Sequence, residues 1–417
     1  MDAPAAGNSD PAIGMRKSRP ALPMISLQRY AALFAFGDLR SAILASLIGR
    51  LPIGITGLAL LLLVQARESS FADAGLVTSA YLGGLAGIAP LVGRLIDRLG
   101  PRPVLLAAGL AYPLTLLTLV NAVNRGASLG WVLVLSFLAG ATLPQVTTCM
   151  RTLYRRNLQD DSLLVAALSF DSVVIEAVFI VGPMLVAFVI AAGSPDYAVL
   201  LGAACAALGA LFITRTPAMA QWAVERSQRR SLLGPLHDSG FRRLLAILLC
   251  YAAVFGLVDI GVATYSHEIG RTALTGLILG VMSIGSATGG LAYGSRSWHL
   301  PLQRQFAWSL VIMGLSIAPL ATVPHPLLFG SLALFSGLTM APPLIIQSTI
   351  VAKTMPTPQM AEAFTWVTTA MLCGVGLGFA LGGIAAEVEG AASVFLLASC
   401  VTVGVGLLAR GVFRIRA

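Results

Sequence analysis

The sequence predicts an all-α membrane protein whose twelve transmembrane helices form two pseudo-symmetric six-helix bundles. Three observations predict this fold class. Hydrophobic residues make up 57% of the 417 residues and charged residues only 11%, whereas a soluble protein carries about 25% charged residues. The chain contains twelve apolar segments, most of them close to or above the ~20 residues that cross a bilayer. The last six segments repeat spaced features of the first six, which indicates an internal duplication.

Composition divides the chain into four parts. Residues 1–28 are rich in Pro, Ala and Ser and lack the apolar stretch and cleavage site of a signal peptide, so we expect a disordered cytoplasmic tail. Residues 29–214 hold six spans, residues 215–242 form a basic cytoplasmic linker, and residues 243–417 hold six more. The predicted spans lie at about 39–65, 71–92, 103–122, 129–152, 162–192, 196–214, 243–266, 272–294, 303–322, 325–351, 361–384 and 391–410.

Lysine and arginine residues are concentrated in alternate loops. Together with the two tails, these loops hold nearly all of the 27 basic residues, and the opposite loops hold only Arg67, Arg125 and Arg271. Because cytoplasmic loops carry the excess of positive charge, we expect both termini in the cytoplasm. The bases lie in short loops and not on a polar domain, so the net charge of +9 does not indicate a nucleic-acid partner.

Four pairs of segments share residues at a nearly constant spacing. In segments four and ten, Gly140 aligns with Gly337 and Thr142 aligns with Thr339, at an offset of about 200 residues. Segments two and eight align Gly84 with Gly285, and segments one and seven, and five and eleven, align at similar offsets. Four matches in the same order predict two six-helix halves that run in the same sense, as in one large class of transporters.

The loop between the second and third predicted helices carries a charged motif bounded by glycines. Residues 93–102 read G-R-L-I-D-R-L-G-P-R. This sequence resembles the loop 2–3 signature of the major facilitator superfamily, glycine followed by x-L-x-D-R-x-G-x-R/K, except that Pro101 stands where a further base is common. With the twelve spans and the central basic loop, the resemblance covers nearly the whole chain. The equivalent loop after Gly294 has lost the acidic residue.

The resemblance implies a transporter in which two bundles rock about a central cavity. The acidic residue of the motif, Asp97, would then face the exposed N–H groups at the start of the eleventh helix, near residues 361–364, and close a latch when the transporter faces outward. The neighbouring bases would bind acidic residues or lipid phosphate. The alternative is a turn whose charges only set topology. The predicted latch consists of Gly93, Asp97, Arg98, Gly100 and Arg102.

Four ionisable residues fall deep inside predicted spans, where a charge is costly and usually functional. Arg50 on the first helix lies at a depth between Asp171 and Glu176 on the fifth. We expect Arg50 to pair with one of these two acids, which leaves the other free to exchange a proton. Asp259 on the seventh helix is expected to bind substrate or form a gate. The alternatives are a structural ion pair for Arg50 and an acid that reaches the outer surface for Asp259.

Prolines and glycines inside spans predict hinges, because proline removes a backbone hydrogen bond. The predicted hinge residues are Pro144, Gly182, Pro183, Pro342 and Pro343. The pair at 182–183 resembles the core of a glycine–proline motif of superfamily exporters, without its flanking glycines. A set of polar and aromatic residues is expected to line the central cavity. For each of them the alternative is packing or hydrogen bonding between helices. They are Thr142, Gln145, Thr339, Gln347 and Trp366.

The sequence contains no P-loop, no ATPase domain and no metal-ligand spacing, so we expect no enzyme, cofactor or metal site. We expect a monomeric secondary transporter in contact with lipid, which couples proton movement to the efflux of an amphipathic small molecule. The Ala-, Gly- and Arg-rich composition favours a bacterial plasma membrane. One alternative is a uniporter or importer of a polar nutrient such as a sugar. The other is a scaffold or sensor that does not transport.

Overall fold

The computed structural model of the protein describes residue 34 and residues 37–158, 161–220, 222, 235–296, 298–356 and 359–412. The predicted tail, and residues 221 and 223–234 of the predicted central linker, lie outside these ranges. Within them, all regular secondary structure is helical. The helices of the first half are α1 (Gly37–Glu68), α2 (Phe71–Leu99), α3 (Pro101–Asn124), α4a (Leu129–Thr142), α4b (Val146–Asn157), α5 (Asp161–Ala192) and α6 (Pro195–Thr214).

The second half repeats this order. Its helices are α7 (Ser239–Glu268), α8 (Leu274–Gly294), α9 (Leu302–Ile317), α10a (Pro326–Leu338), α10b (Ala341–Thr354), and the two parts of Met360–Val412, which we call α11 before Gly390 and α12 after it. Short helical turns lie at Pro217–Ala220, Pro235–His237 and Ala318–Thr322.

A single glycine separates α11 from α12. Gly390 adopts a φ of 72°, a left-handed conformation that glycine reaches without the steric cost other residues bear. The first N–H of α12, on Ala391, donates a hydrogen bond of 2.8 Å to Oε1 of Glu268 at the end of α7. The chain therefore turns sharply here, and the single assigned helix holds two spans.

Eleven helices in the described part of the chain are long and apolar enough to cross a membrane, and the last, Glu362–Arg410, has 49 residues. Split at Gly390, these helices give the twelve spans that the sequence predicts. Large apolar side chains face outward around them: Phe188 is 72% exposed and Leu327 is 78% exposed. An apolar outer surface of this kind belongs in lipid.

Two of the three proline sites coincide with interruptions of a helix. Helix α4 breaks at residues 143–145, around Pro144, and α10 breaks at residues 339–340, just before Pro342 and Pro343. Helix α5, in contrast, runs through Pro183 without a break. Its neighbour Gly182 packs directly against the backbone of Gly54 on α1, where no side chain would fit. Hinge motion at these positions stays a prediction.

The two halves contain the same close helix crossing. In the first half, a Cβ atom on Gly84 or on Gly140 would overlap backbone carbonyls of α4a and α2, respectively. In the second half, Gly285 on α8 and Gly337 on α10a stand in the same relation to each other's helices. Small residues let membrane helices approach closely. These are the glycines that align between the two halves of the sequence, so the sequence repeat corresponds to the same helix crossing in each half.

The two faces of the bundle differ. We call the end at which α2 stops and α3 begins the basic face, because the helix ends there carry exposed Arg98, Arg102, Arg155 and Arg156. We call the other end the opposite face. Near the opposite face the two halves touch: Gly75 on α2 packs against the Phe379 carbonyl on α11. On the other side of the molecule, Gly276 on α8 packs against the Pro183 carbonyl on α5.

The described residues give no equally close glycine contact between the halves at the basic face. A Cβ atom on Gly93 at the end of α2, or on Gly294 at the end of α8, would meet no described atom within 4 Å. The close glycine contacts between the halves therefore lie near the opposite face.

Candidate transport site

A cavity of about 400 Å³ lies between the two halves. Helices α1, α2, α4, α5, α7, α8, α10 and α11 all contribute to its wall. Most of the lining side chains are apolar, and its largest are Phe179, Phe255, Phe379, Met282, Met340 and Met371. Leu143 and Met340 reach the cavity from the interruptions of α4 and α10. The cavity has the size and apolar character of a small-molecule site.

Two carboxylates face this cavity. Glu176 comes from α5 in the first half and Asp259 from α7 in the second half. Neither has a hydrogen bond or an ion pair with any residue that the structure describes. The lining residues include no Lys or Arg. The central cavity therefore carries two acidic groups without a basic partner.

The ion pair expected of Arg50 is formed with Asp171. Arg50 Nη2 donates to Oδ1 of Asp171, and Arg151 Nε donates to Oδ2 of the same carboxylate at 2.7 Å. Arg50 is 1% exposed, Asp171 is fully buried, and Arg151 is 50% exposed. The cluster joins α1, α4b and α5. Glu176 lies five residues beyond Asp171, roughly 140° around the helix, and therefore points away from the cluster.

Arg151 was not predicted to be a site residue. It lies at the very end of the predicted span 129–152, beside Arg155 and Arg156, and was counted with the bases at the cytoplasmic end of that span. In the structure α4b extends to Asn157, so Arg151 lies on the helix and reaches inward. The four-residue spacing from Arg155 was the one signal that these bases sit on a helix.

A hydrogen-bonded chain leads from the cavity wall into the first half. Tyr81, which lines the cavity, has its hydroxyl 3.0 Å from that of Tyr112. The Tyr112 hydroxyl is in turn 2.7 Å from Oγ1 of Thr56. Tyr112 and Thr56 are fully buried. The chain ties α1, α2 and α3 together and was not predicted from the sequence.

The five residues predicted to line the cavity lie elsewhere. None of them is among the residues that line it. Thr142 hydrogen-bonds Thr115 on α3 at 3.2 Å, and Thr339 bonds Ser316 on α9 at 2.9 Å. These equivalent pairs hold helices together within each half. Gln347 donates to Sδ of Met371, a lining residue, at 3.0 Å, so Gln347 stands behind the wall. Gln145 and Trp366 are half-buried and are not among the lining residues.

The predicted latch is only partly described. The side chain of Asp97 lies outside the described part of the structure, as does that of Ala361 at the proposed receiving end. Gly100 ends α2 with a φ of 82°, and its N–H donates to Ile96 O at 2.9 Å. Arg98 and Arg102 are exposed. The role of these residues stays a prediction.

A polar contact that the sequence analysis missed joins the halves at the opposite face. Glu387, near the end of α11, accepts hydrogen bonds from the backbone N–H groups of Phe71 at 2.8 Å and Ala72 at 3.4 Å. These are the first two residues of α2. An acid at a helix N-terminus satisfies unpaired N–H groups and interacts favourably with the helix dipole. Glu387 lies just beyond the predicted span 361–384, where no partner was foreseen.

Two repeated six-helix halves around a central cavity define a multi-pass membrane transporter of a small molecule, and not an enzyme. The family model of the Major Facilitator Superfamily matches residues 42–335, and the chain belongs to this superfamily. An uncharacterized MFS-type transporter of Sinorhizobium fredii, y4rN, is 25% identical over 398 residues, which cover 90% of this chain and 94% of that protein.

Solved structures show the same fold. A mutant of the nucleoside transporter NupG superposes with a TM-score of 0.72 at 14% identity, over 90% of this chain and all of the NupG chain. The human organic anion transporter MFSD10 superposes with a TM-score of 0.60 at 16% identity, over 89% of this chain and 98% of the MFSD10 chain. The fold class predicted from the sequence is thereby confirmed.

Proposed function

We propose that the protein exports an amphipathic small molecule in exchange for protons, by alternating access between its two halves. The observation that carries the proposal is the central cavity, with mostly apolar walls and two unpartnered carboxylates, Glu176 and Asp259. Apolar walls favour a cargo that loses little on leaving water. A carboxylate that can be neutralised is the group that a proton-coupled cycle needs.

The distribution of basic residues supports the direction. By the positive-inside rule, the basic face is the cytoplasmic one, in this proposal that of a bacterial inner membrane. The close contacts between the halves then lie on the outer side, as expected of a state that is open to the cytoplasm and loads cargo for export. The lipid around the apolar belt would be the route by which an amphipathic cargo arrives.

Charge considerations support the assignment of proton coupling to the cavity acids. Asp171 is already held by Arg50 and Arg151, so its charge is balanced in the fold. Glu176 and Asp259 have no such partner among the described residues, and an unpaired carboxylate away from water is costly. When the cavity closes to water, each of these acids must carry a proton or a cationic partner.

Import of a nucleoside or another polar nutrient is the second candidate, because the fold superposes on the nucleoside transporter NupG. A polar cargo needs several hydrogen-bonding groups to replace its water. The cavity offers few besides the two acids: Tyr81, Ser283 and Ser286. The cavity chemistry therefore favours the amphipathic cargo.

Flux in proteoliposomes tests the proposal. Purified protein is reconstituted with and without an imposed pH gradient, and uptake of an amphipathic dye and of a radiolabelled nucleoside is followed. We expect dye flux that follows the pH gradient and that is lost in the double variant Glu176→Gln/Asp259→Asn. The Glu389→Gln variant, which changes an exposed acid outside the cavity, is the control. Dye flux indifferent to the gradient would reject proton coupling, and nucleoside flux alone would favour import.

A further inference from the structure

We propose that the central cavity selects a monovalent organic cation with a bulky apolar body. The inference rests on the proposed function, because it names the cargo class of the same cavity. It starts from the sign of the charge: the lining contains two acids, Glu176 and Asp259, and no base. An anionic cargo would meet repulsion from both carboxylates, whereas a cation would be attracted to both.

Neither base of the Asp171 cluster lines the cavity. Arg50 is 1% exposed and bound to Asp171, so turning it towards the cavity would break a buried ion pair. Arg151 also binds Asp171, on the side of the cluster that is half exposed. Two bases and one acid leave the cluster with one positive charge, which solvent screens on the side of Arg151. The charges in direct contact with a cargo are therefore those of Glu176 and Asp259.

The apolar walls also suit a cation. Phe179, Phe255 and Phe379 present aromatic rings to the cavity, and the faces of such rings attract organic cations. Met282 and Met371 add thioether side chains, which adapt to irregular shapes. The volume of about 400 Å³ is enough for a drug-sized molecule.

The two acids come from different halves of the protein. Glu176 belongs to the first half through α5, and Asp259 to the second half through α7. A cation held between them contacts both halves at once, and so does a proton on either acid. Cation and proton thus compete for the same carboxylates. This competition couples export of the cation to entry of protons.

The competition has a definite sign. The titratable side chains that line the cavity, in the described part of the chain, are Glu176, Asp259 and the hydroxyl of Tyr81. Lowering the pH adds protons to the carboxylates and removes the charge that attracts a cation. Cation binding should therefore weaken as the pH falls, while binding of a neutral molecule of the same shape should not.

Binding of two size-matched ions tests the inference directly. Binding of radiolabelled tetraphenylphosphonium, a cation, to the full-length detergent-purified protein on beads is compared with binding of radiolabelled tetraphenylborate, an anion. The two ions are measured in separate samples because they precipitate together, and triphenylphosphine oxide, a neutral molecule, is used as a competitor of the cation. We expect saturable binding of the cation, little displacement by the neutral molecule and no saturable binding of the anion. Asp259→Asn and Glu176→Gln should each weaken binding about tenfold, and Asp259→Glu, which keeps the charge, should restore most of it. Glu389→Gln should leave it unchanged.

The outcomes separate this inference from the proposed function. Binding of the anion or the neutral molecule as tight as that of the cation would overturn cation selectivity, as would full binding to the Glu176→Gln/Asp259→Asn variant. Either result would leave export of an amphipathic cargo intact if the pH-driven dye flux persists. Loss of pH-driven flux for every probe, with cation binding retained, would instead reject proton-coupled export.

Discussion

The carboxylate of Glu387 on α11 accepts a hydrogen bond of 2.8 Å from the backbone N–H of Phe71, the first residue of α2. It thereby closes the opposite face between the two halves. The predicted latch at the basic face would have the reverse geometry, with Asp97 at the end of α2 facing the start of α11. Because α2 and α11 run antiparallel, each would place an acid at the N-terminus of the other. Rocking of the halves would make one contact as it breaks the other.

Removing the charge of Glu387 should loosen the opposite face. Glu387→Gln weakens a helix cap worth about 0.5–1 kcal/mol, or roughly two- to fivefold in the population that opens. A cysteine placed at Ser79, which lies against Gly376 of α11 in the closed interface, should then react faster with an impermeant maleimide added from outside. The background lacks the five native cysteines. Unchanged labelling, equal to that of Glu389→Gln, would contradict the role of Glu387.

Asp97→Asn should cripple transport and leave expression largely intact. The substitution keeps the size of the side chain but removes the negative charge that the N-terminus of α11 would attract. Initial flux in proteoliposomes is compared with that of Asp38→Asn, an exposed acid near the start of α1. Flux at the wild-type rate in the Asp97 variant would show that the motif only sets topology.

Arg50→Ala should destabilise the protein strongly, by about 3 kcal/mol, because it breaks a buried ion pair. Arg151→Ala should cost less, since Arg151 is 50% exposed and Arg50 still holds Asp171. Unfolding in detergent, followed by circular dichroism, measures both variants, and Arg50→Lys gives the charge-conserving control. If both alanine variants unfolded like the wild type, the cluster would have no structural role.

The close crossings predict matched effects in the two halves. Gly140→Ala and Gly337→Ala each add a methyl group that collides with a backbone carbonyl, of Tyr81 and Met282 respectively. Each should cost about 1–3 kcal/mol. Gly130→Ala and Gly330→Ala, in the same two helices but with open space around them, should be neutral. Thermal stability in detergent measures all four, and a large loss in only one half would argue against equivalent crossings.

Much of the architecture was readable from the sequence because lipid imposes strong constraints. Membrane spans must be long and apolar, which made the helices easy to predict. Close helix crossings need glycine, so Gly84 and Gly140, with Gly285 and Gly337 at the equivalent positions, marked the duplication correctly. The pairing of Arg50 with an acid on α5 also followed from depth alone. Depth in the membrane could not decide whether Arg50 pairs with Asp171 or with Glu176. In the structure its partner is Asp171.

The cavity wall was less predictable, because apolar residues surround every membrane helix and hide which side faces inward. Thr142 and Thr339 are polar but bind neighbouring helices, since a hydroxyl can be satisfied within its own half. The residues that do line the cavity, such as Phe255 and Met371, are of the same types as residues that pack inside any helical core, so the sequence alone does not distinguish them. Glu387 was missed because a helix cap between distant segments leaves no local pattern.

Paired spin labels at both faces report whether the two halves rock against each other. One pair replaces Arg94 on α2 and Lys353 on α10b at the basic face, and the other replaces Glu68 on α1 and Glu389 at the opposite face; all four are exposed. Double electron–electron resonance in liposomes then gives both distances at high and low pH, with and without an amphipathic cargo. Alternating access predicts a population in which the opposite-face distance lengthens as the basic-face distance shortens. Distances that stay fixed, or that change together in the same direction, would contradict it.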